Sequence, residues 1–375
     1  MTAQPRRPRV LHFVTGGFSS GSVQVAIQLV NAARDSGRVE PLLVLRRKRR
    51  TDPARITELE QAGTPVRVVP GWSHPATVLA LVRLCREFRP DVLVAHGFSE
   101  HLWGRYAGLL AKVPHLVHVE HNSRERYTPW RRAQTRWLAA RTSRIVGCSE
   151  GVRQVLLAMG MPPERTIAIP NGIRVEPFAA STPAPASQRI PGIVMASRLS
   201  RQKDHATLLR AVALLRERGL APPVLLAGPG KPRYLKPLEK LHRELGLGEQ
   251  VRFLGLCRNV PELLLGHRVC VLATHYEGMP LALIEGMAAG CVSIGSEVAG
   301  VRELLQHQVN GLLAPESDPV ALADALALAL QDDALADRLG AAARADALAN
   351  YTRERMNERY EALFLELAAS PPYRA

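Results

Sequence analysis

Along nearly its whole length the chain alternates short apolar runs with stretches of helical periodicity, and few folds accept that pattern. In the first half the apolar runs fall at residues 10–14, 41–45, 66–69, 91–96, 115–119, 144–148 and 166–169. Helical spacing fills intervals between them, most clearly over 23–33 and 76–88. Strands separated by helices pair in parallel, and a parallel sheet is covered by helices on both faces. A second series starts at 193–196 and continues at 224–227, 251–254, 270–272 and 292–294, and the chain from 319 to 367 is almost wholly helical in pattern. Between the two series, 179–191 is rich in Ala, Ser and Pro and lacks periodicity, as linkers do. The expected fold is α/β, with two Rossmann-like, doubly wound domains at 1–178 and 192–352, the linker 179–191 between them, and a terminal helix in 353–375. A chain of 375 residues is long enough for two such cores. Ligands in doubly wound sheets bind at the carboxyl ends of the strands, so a cleft between two sets of strand ends is the expected site.

Charge separates the halves. Residues 1–180 carry 27 Lys and Arg against 13 Asp and Glu, whereas the rest carries 22 against 21, so nearly all of the net +15 lies in the first half. The run Arg46-Arg47-Lys48-Arg49-Arg50 and the arginines at 124, 126, 131, 132, 136, 141 and 144 contribute most of it. Such asymmetry points to an anionic partner, either membrane lipid or a phosphorylated acceptor, or else to a solvated basic face. Nucleic acid is not the expected partner, because the basic segments lack the interleaved aromatics of a single-strand binder. Five scattered cysteines without a Cys-x-x-Cys pair argue against a disulfide framework or zinc site and fit a reducing, cytoplasmic compartment. No stretch reaches the roughly 18 apolar residues of a spanning helix. A soluble or peripheral protein is therefore expected.

The chemistry concentrates in His275-Tyr276-Glu277-Gly278-Met279-Pro280-Leu281-Ala282-Leu283-Ile284-Glu285-Gly286. Glu277 follows an apolar strand, and Pro280 is expected at the first position of a helix that contains Glu285. Backbone N–H groups of Gly278, Met279 and Leu281 are expected to point into the loop, where a helix start attracts phosphate. Two acids flanking an anion site suggest a ligand with both hydroxyls and phosphates, as in a nucleotide sugar. Arg198 follows the strand at 193–196 and Lys203 lies five residues on. A guanidinium and an ammonium at one strand end suit a diphosphate, although two surface cations would look the same.

Taken together, Arg198…Lys203, Leu226-Ala227-Gly228-Pro229-Gly230, Phe253-Leu254-Gly255, Glu277-x7-Glu285 and Met287-Ala288-Ala289-Gly290 resemble retaining glycosyltransferase family 4, the group 1 glycosyltransferases. The resemblance spans essentially the whole chain and is strongest over 193–315. It implies the GT-B fold, with the final helix crossing back onto the first domain and forming part of a hinge. It implies that Glu285 holds the ribose hydroxyls and that Glu277 holds a hydroxyl of the donor sugar. Gly278, Met279, Pro280 and Leu281 then line the donor sugar and its phosphates, with Gly228 at the neighbouring strand end. Arg198 and Lys203 neutralise the diphosphate as the glycosidic bond breaks, and Arg258 and Asn259 lie near the nucleobase. His121, in Val119-Glu120-His121-Asn122, matches a family histidine that faces the donor sugar. His96 is a second candidate of the same kind, Glu120 could orient His121, and Ser149 matches a family serine at a helix start. For any of these histidines a structural role is the simpler alternative.

Gly16 and Gly17 follow the first strand and would let backbone approach phosphate or sugar. The dinucleotide spacing G-x-G-x-x-G is absent, and the second strand ends in Arg46 rather than an acid. The family's Gly-Gly is commonly followed by a small residue and Glu, whereas this chain continues Phe18-Ser19-Ser20-Gly21-Ser22-Val23-Gln24. After Pro170-Asn171-Gly172-Ile173 it carries Arg174 where the family usually has Asp. The implied reaction is hexosyl transfer from a UDP- or GDP-linked sugar to a glycan or lipid-linked acceptor, with retention by front-face attack. There is no Asp-x-Asp sequence, and neither a metal nor a further cofactor is expected. Lipopolysaccharide or another surface polysaccharide is the implied product, made in the cytoplasm or at the cytoplasmic face of the inner membrane. A GT-B epimerase or phosphorylase, and a non-catalytic nucleotide-sugar-binding protein, remain the alternatives.

Overall fold

The computed structural model describes residues 6–18, 21–49, 51–97, 99–124, 127–179 and 182–373. Ser19 and Ser20, quoted above, fall outside that set, as do Arg50 and Arg126. The chain divides into two compact units, Met1–Asn171 with Glu354–Ala375, and Gly172–Arg353.

Among the described residues the first unit holds seven parallel strands: β1 (Arg9–Thr15), β2 (Glu40–Arg46), β3 (Val66–Val69), β4 (Val92–His96), β5 (His115–Glu120), β6 (Arg144–Gly147) and β7 (Thr166–Ala168). Their order is β3-β2-β1-β4-β5-β6-β7. The winding reverses between β1 and β4, so the loops that leave these two strands diverge. Alternation along the strands sorts the side chains onto two faces. Leu11, Phe13, Leu93, Ala95 and Leu116 pack on one face with helices His74–Phe88 and Glu100–Leu110. Val10, Val92, Val94, Val117 and Val119 pack on the other. The terminal helix Arg353–Ala369 covers this second face with Met356, Tyr360, Leu363, Phe364 and Leu367, a stripe at helical spacing.

The second unit holds β8 (Ile190–Ala196), β9 (Val224–Ala227), β10 (Val251–Gly255), β11 (His267–Leu272), β12 (Val292–Ser296) and β13 (Leu312–Ala314), ordered β10-β9-β8-β11-β12-β13 and again parallel. Its winding reverses between β8 and β11. The strand β13 lies outside the apolar runs read from sequence, and β12 holds it through Ile294 opposite Leu312.

Two boundaries differ from expectation. Residues 172–178 go with the second unit, because Ile173 N donates to Tyr351 O at 2.9 Å and Arg353 N donates to Ile173 O at 2.8 Å. The stretch read as the linker 179–191 is in part ordered secondary structure. Ala186–Gln188 forms a 3-10 turn, Ser187 binds Asp337 through its N (2.8 Å) and Oγ (2.7 Å), and β8 already begins at Ile190. Pro and Ser there serve a turn fixed by a distant aspartate, which local composition cannot reveal.

Candidate active site

In the second unit the candidate side chains Arg198, Lys203 and Glu277 follow the ends of β8 and β11. Arg198 lies just past β8, exposed and without an ion-pair partner among the described residues. The chain then crosses the end of β11 and is stitched to it. Asp204 N donates to Ala273 O (3.0 Å), His275 N to Gln202 O (2.9 Å), and Gln202 Nε2 to Tyr276 O (2.7 Å). This antiparallel bridge sets the Lys203 ammonium on Glu277 Oε1, which also accepts from Thr274 Oγ1 at 2.7 Å. The side chains of Lys203 and Glu277 keep only 13% and 7% of their exposure. Thr274 is held from behind, its N–H donating to Ser296 Oγ at 2.9 Å. Lys203 and Glu277 are thus one buried, charge-assisted pair.

The loop after Glu277 is buried from Gly278 through Pro280. Gly300, in the short helix Ala299–Arg302, lies against it. A Cβ on Gly300 would stand 2.5 Å from Gly278 O and 2.6 Å from Glu277 O, so only glycine lets this backbone pass. Pro280 stands one position earlier than expected. It is the N-cap residue of helix Leu281–Ala288, with extended φ −80° and ψ 100°, and its carbonyl accepts from Leu283 N and Ile284 N. Leu281 is half-buried, at the helix's first position.

Glu285 is half-buried on that helix and has no side-chain hydrogen bond among the described residues. Burial pushes its carboxyl up to about 7. A lone acid with a perturbed proton affinity at a strand edge is a functional-site candidate. Gly228 follows β9, and a side chain there would run into Ser197 O, so its absence lets residues 228–230 lie along 197–199 and fixes where Arg198 begins. Arg258 and Asn259 are exposed beyond the edge strand β10, and Asn259 Oδ1 accepts from Cys257 Sγ.

Gly16, Gly17 and His121 belong to the first unit. Gly16 N donates to Arg46 O at 2.8 Å, and a Cβ on Gly16 would stand 2.5 Å from Thr51 Oγ1, so this glycine serves packing against Arg46 and Thr51. A Cβ on Gly17 would meet only Thr15 Oγ1, at an ordinary 3.8 Å. His121 follows β5 and is partly exposed. Burial, then the neighbouring His118, drive its proton affinity down to about 3, so the ring is neutral. His121 Nε2 lies 3.2 Å from His96 Nδ1. Glu120 is buried, its carboxyl pushed up by burial, and accepts from His121 N at 2.9 Å and Tyr127 OH at 3.2 Å. Ser149 caps helix Glu150–Ala158 by accepting from Val152 N at 3.0 Å. Sequence reasoning missed Gln202, Thr274, Ser296 and Gly300. The first three act through contacts made across the sheet, and Gly300 sits in a four-residue helix with no periodic signal.

Residues 183–346 match the family model for glycosyl transferases group 1, and residues 19–177 match that for Glycosyltransferase Family 4. The chain is a group 1 glycosyltransferase. Among its relatives is the UDP-Gal:alpha-D-GlcNAc-diphosphoundecaprenol alpha-1,3-galactosyltransferase of Escherichia coli, 25% identical over 68% of this chain and 70% of that one. The putative glycosyltransferase EpsF of Bacillus subtilis is 29% identical over 77% of this chain and 79% of its own. The Amylovoran biosynthesis glycosyltransferase AmsK of Erwinia amylovora is 29% identical over 48% of this chain and 45% of its own, which sets the transferase among relatives that build polysaccharide. The crystal structure of Anabaena HepE in complex with UDP and glucose superimposes with a TM-score of 0.82 at 22% identity, over 96% of this chain and all of that one. Sucrose-phosphate synthase from Thermosynechococcus elongatus gives 0.80 at 20%, over 97% of this chain and all of its own. At these identities the structural likeness establishes the GT-B fold. Among the described residues of this transferase no helix is long and apolar enough to cross a membrane.

Proposed function

We propose that this glycosyltransferase moves a hexose from a UDP-sugar to a lipid-linked glycan acceptor, with retention of anomeric configuration, during surface polysaccharide assembly. The carrying observation is the set at the β8–β11 divergence: exposed Arg198, the Lys203–Glu277 pair and the lone carboxyl of Glu285. A UDP donor is favoured because the E. coli relative is named for UDP-galactose and the Anabaena neighbour was crystallised with UDP.

In this reading the carboxylate of Glu285 accepts two ribose hydroxyls, and the diphosphate takes the free guanidinium of Arg198 together with the ammonium of Lys203. Lys203 then turns part of its charge from Glu277 to phosphate, and Glu277 is left to accept a sugar hydroxyl. Arg198 and Lys203 stabilise the charge that grows on the diphosphate as the anomeric bond breaks. The phosphate oxygen takes the proton of the acceptor hydroxyl, which attacks the same face that the leaving group vacates. Neither metal nor further cofactor enters this scheme.

The first unit supports an acceptor held at an anionic membrane surface. Helix Pro129–Ala139 exposes Trp130 (71%) and Trp137 (46%), seven residues apart and so on one flank. Arg132 and Arg136 are exposed on the other flank, and the Arg141 guanidinium lies 4.0 Å over the Trp137 ring. Indoles beside arginines suit the interface of an anionic bilayer. The test is turnover of UDP-galactose and UDP-glucose with diphosphoundecaprenol-linked GlcNAc, followed by NMR of the product anomer. An α-linked product supports the reading. Inversion, or donor conversion without an acceptor, refutes it.

A further inference from the structure

A cavity of about 290 Å³ lies in the first unit, at the end of β5 and against helices Pro129–Ala139 and Glu150–Ala158. All of its lining residues belong to that unit. Glu120, Tyr127, Arg124 and Arg132 line it, together with the apolar side chains of Leu156 and Met159. Its volume is at the low end of the roughly 300–1,000 Å³ of small-molecule sites, which suits a single sugar rather than a nucleotide.

The polarity of Glu120 is set from behind by a chain of hydrogen bonds with one solution. Arg105 is fully buried and carries only donors. Its guanidinium is fixed by Nε donating to His101 O and Nη1 donating to Thr142 Oγ1, each at 3.1 Å. Its Nη2 lies 2.6 Å from His101 Nδ1, so that nitrogen is the lone pair. Burial keeps the His101 ring neutral, and its proton therefore sits on Nε2. Nε2 lies 2.9 Å from Tyr127 OH, which accepts there and gives its own proton to Glu120 Oε2 at 3.2 Å. Glu120 Oε1 accepts from His121 N at 2.9 Å. Both carboxyl oxygens thus receive a donor, the arrangement of a carboxylate. Burial works against its charge, whereas these donors and the Arg105 guanidinium work for it. His118 stacks on His101 with centroids 4.2 Å apart and has Nε2 3.6 Å from Glu120 Oε2. Burial holds its proton affinity far below the usual histidine range, so it adds no charge.

A simple ion meets a wrong charge in this cavity. A bare anion suits Arg124 and Arg132 and is repelled by Glu120, and for a cation the reverse holds. Arg132 makes no side-chain hydrogen bond or ion pair among the described residues, so its charge is not spent on Glu120. A molecule with hydroxyls on one part and a phosphate on another suits both the carboxylate and the guanidinium groups. We propose that this cavity binds a phosphorylated sugar, whose hydroxyls donate to Glu120, whose phosphate takes Arg124 and Arg132, and whose ring lies against Leu156 and Met159. The ligand is either a free sugar phosphate or the sugar phosphate end of a lipid-linked glycan. Its use as the acceptor rests on the functional reading above, and the binding site does not.

Calorimetry on the full chain at pH 8 tests this with glucose 1-phosphate, its decyl phosphodiester, glucose and inorganic phosphate, each with saturating UDP and without it. Glucose 1-phosphate should bind in the presence of UDP, roughly tenfold or more tighter than glucose or inorganic phosphate. Glu120→Gln and Arg132→Met should each weaken it by a similar factor. Binding of the diester as well supports the lipid-linked source, and binding of the monoester alone supports the free one. Equal affinity for inorganic phosphate and glucose 1-phosphate shows a mere anion site and overturns the proposal, as does wild-type affinity in both variants. Arg132 is exposed, so Arg132→Met keeps the test if the buried change Glu120→Gln does not fold. UDP separates the two readings. UDP binding without glucose 1-phosphate binding overturns the cavity alone, and the converse overturns the donor assignment alone.

Discussion

Glu285→Gln should make the protein more stable at alkaline pH while it weakens nucleotide binding. Burial lifts the Glu285 carboxyl from 4.5 to about 7. Across that window the folded protein keeps a proton that the unfolded chain releases, so stability falls as pH rises through it. Roughly 2.5 units at 1.36 kcal/mol each set an upper bound of about 3 kcal/mol lost by pH 8. Glutamine carries no such proton. The stability difference between variant and wild type should therefore move by up to about 3 kcal/mol in favour of the variant from pH 4.5 to 8. Every other titrating group is common to both proteins and cancels. Urea unfolding at pH 5, 6, 7 and 8 measures the difference, with the midpoint converted through a shared m-value. In calorimetry with UDP at pH 8 the variant should bind about tenfold more weakly, since an amide accepts at one atom where the carboxylate accepts at two. A difference flat in pH would mean that Glu285 is an ordinary solvated acid, and the ribose assignment would lose its physical basis.

Breaking the Lys203–Glu277 pair from one side should cost more than removing both charges. Lys203→Met and Glu277→Gln should each destabilise by about 3 kcal/mol, and the double variant by clearly less than their sum, while transfer stays lost in all three; additive free energies in urea would refute the pair. Arg198→Ala should leave unfolding within about 0.5 kcal/mol of wild type yet lower kcat by roughly 10²-fold or more, because the side chain is exposed and its work lies in the transition state; unchanged turnover would remove it from the site. Gly300→Ala should displace the backbone at Glu277 and Gly278 and cut turnover on the order of 10²-fold, which steady-state kinetics on UDP-sugar can read. Trp130→Ser with Trp137→Ser should release the protein from vesicles containing anionic phosphatidylglycerol in a flotation assay, and equal flotation of variant and wild type would show that helix Pro129–Ala139 does not carry membrane binding.

Much of the architecture was legible because burial on both faces leaves a strong mark. Of the thirteen strands among the described residues, twelve coincide with apolar runs and β13 does not. The motif residues also fell at the strand ends that the alternation implied. What sequence could not supply was pairing. Lys203 and Glu277 were read as separate groups, one for phosphate and one for sugar, and the ion pair between them depends on a bridge from Lys203 to Thr274 that joins distant parts of the chain. Arg198, by contrast, has no ion-pair partner among the described residues, so its charge is available to a ligand. The single glycine motif read for ligand approach divided on inspection of its neighbours, since Gly16 is required by Arg46 and Thr51 while Gly17 is not confined.

The same dependence on register explains why the histidines looked unconnected. His12, His96 and His121 lie on β1, at the end of β4 and just past β5, and no local window contains two of them. Once β1, β4 and β5 are paired in parallel, a stagger of two residues per strand is enough to align three rings on one face. A shift of either pairing by one residue would turn the rings to opposite faces and break the line. The strand order β1-β4-β5 therefore assembles the line. Register thereby sets contacts among the three histidines that no residue's nearest neighbours in sequence could specify.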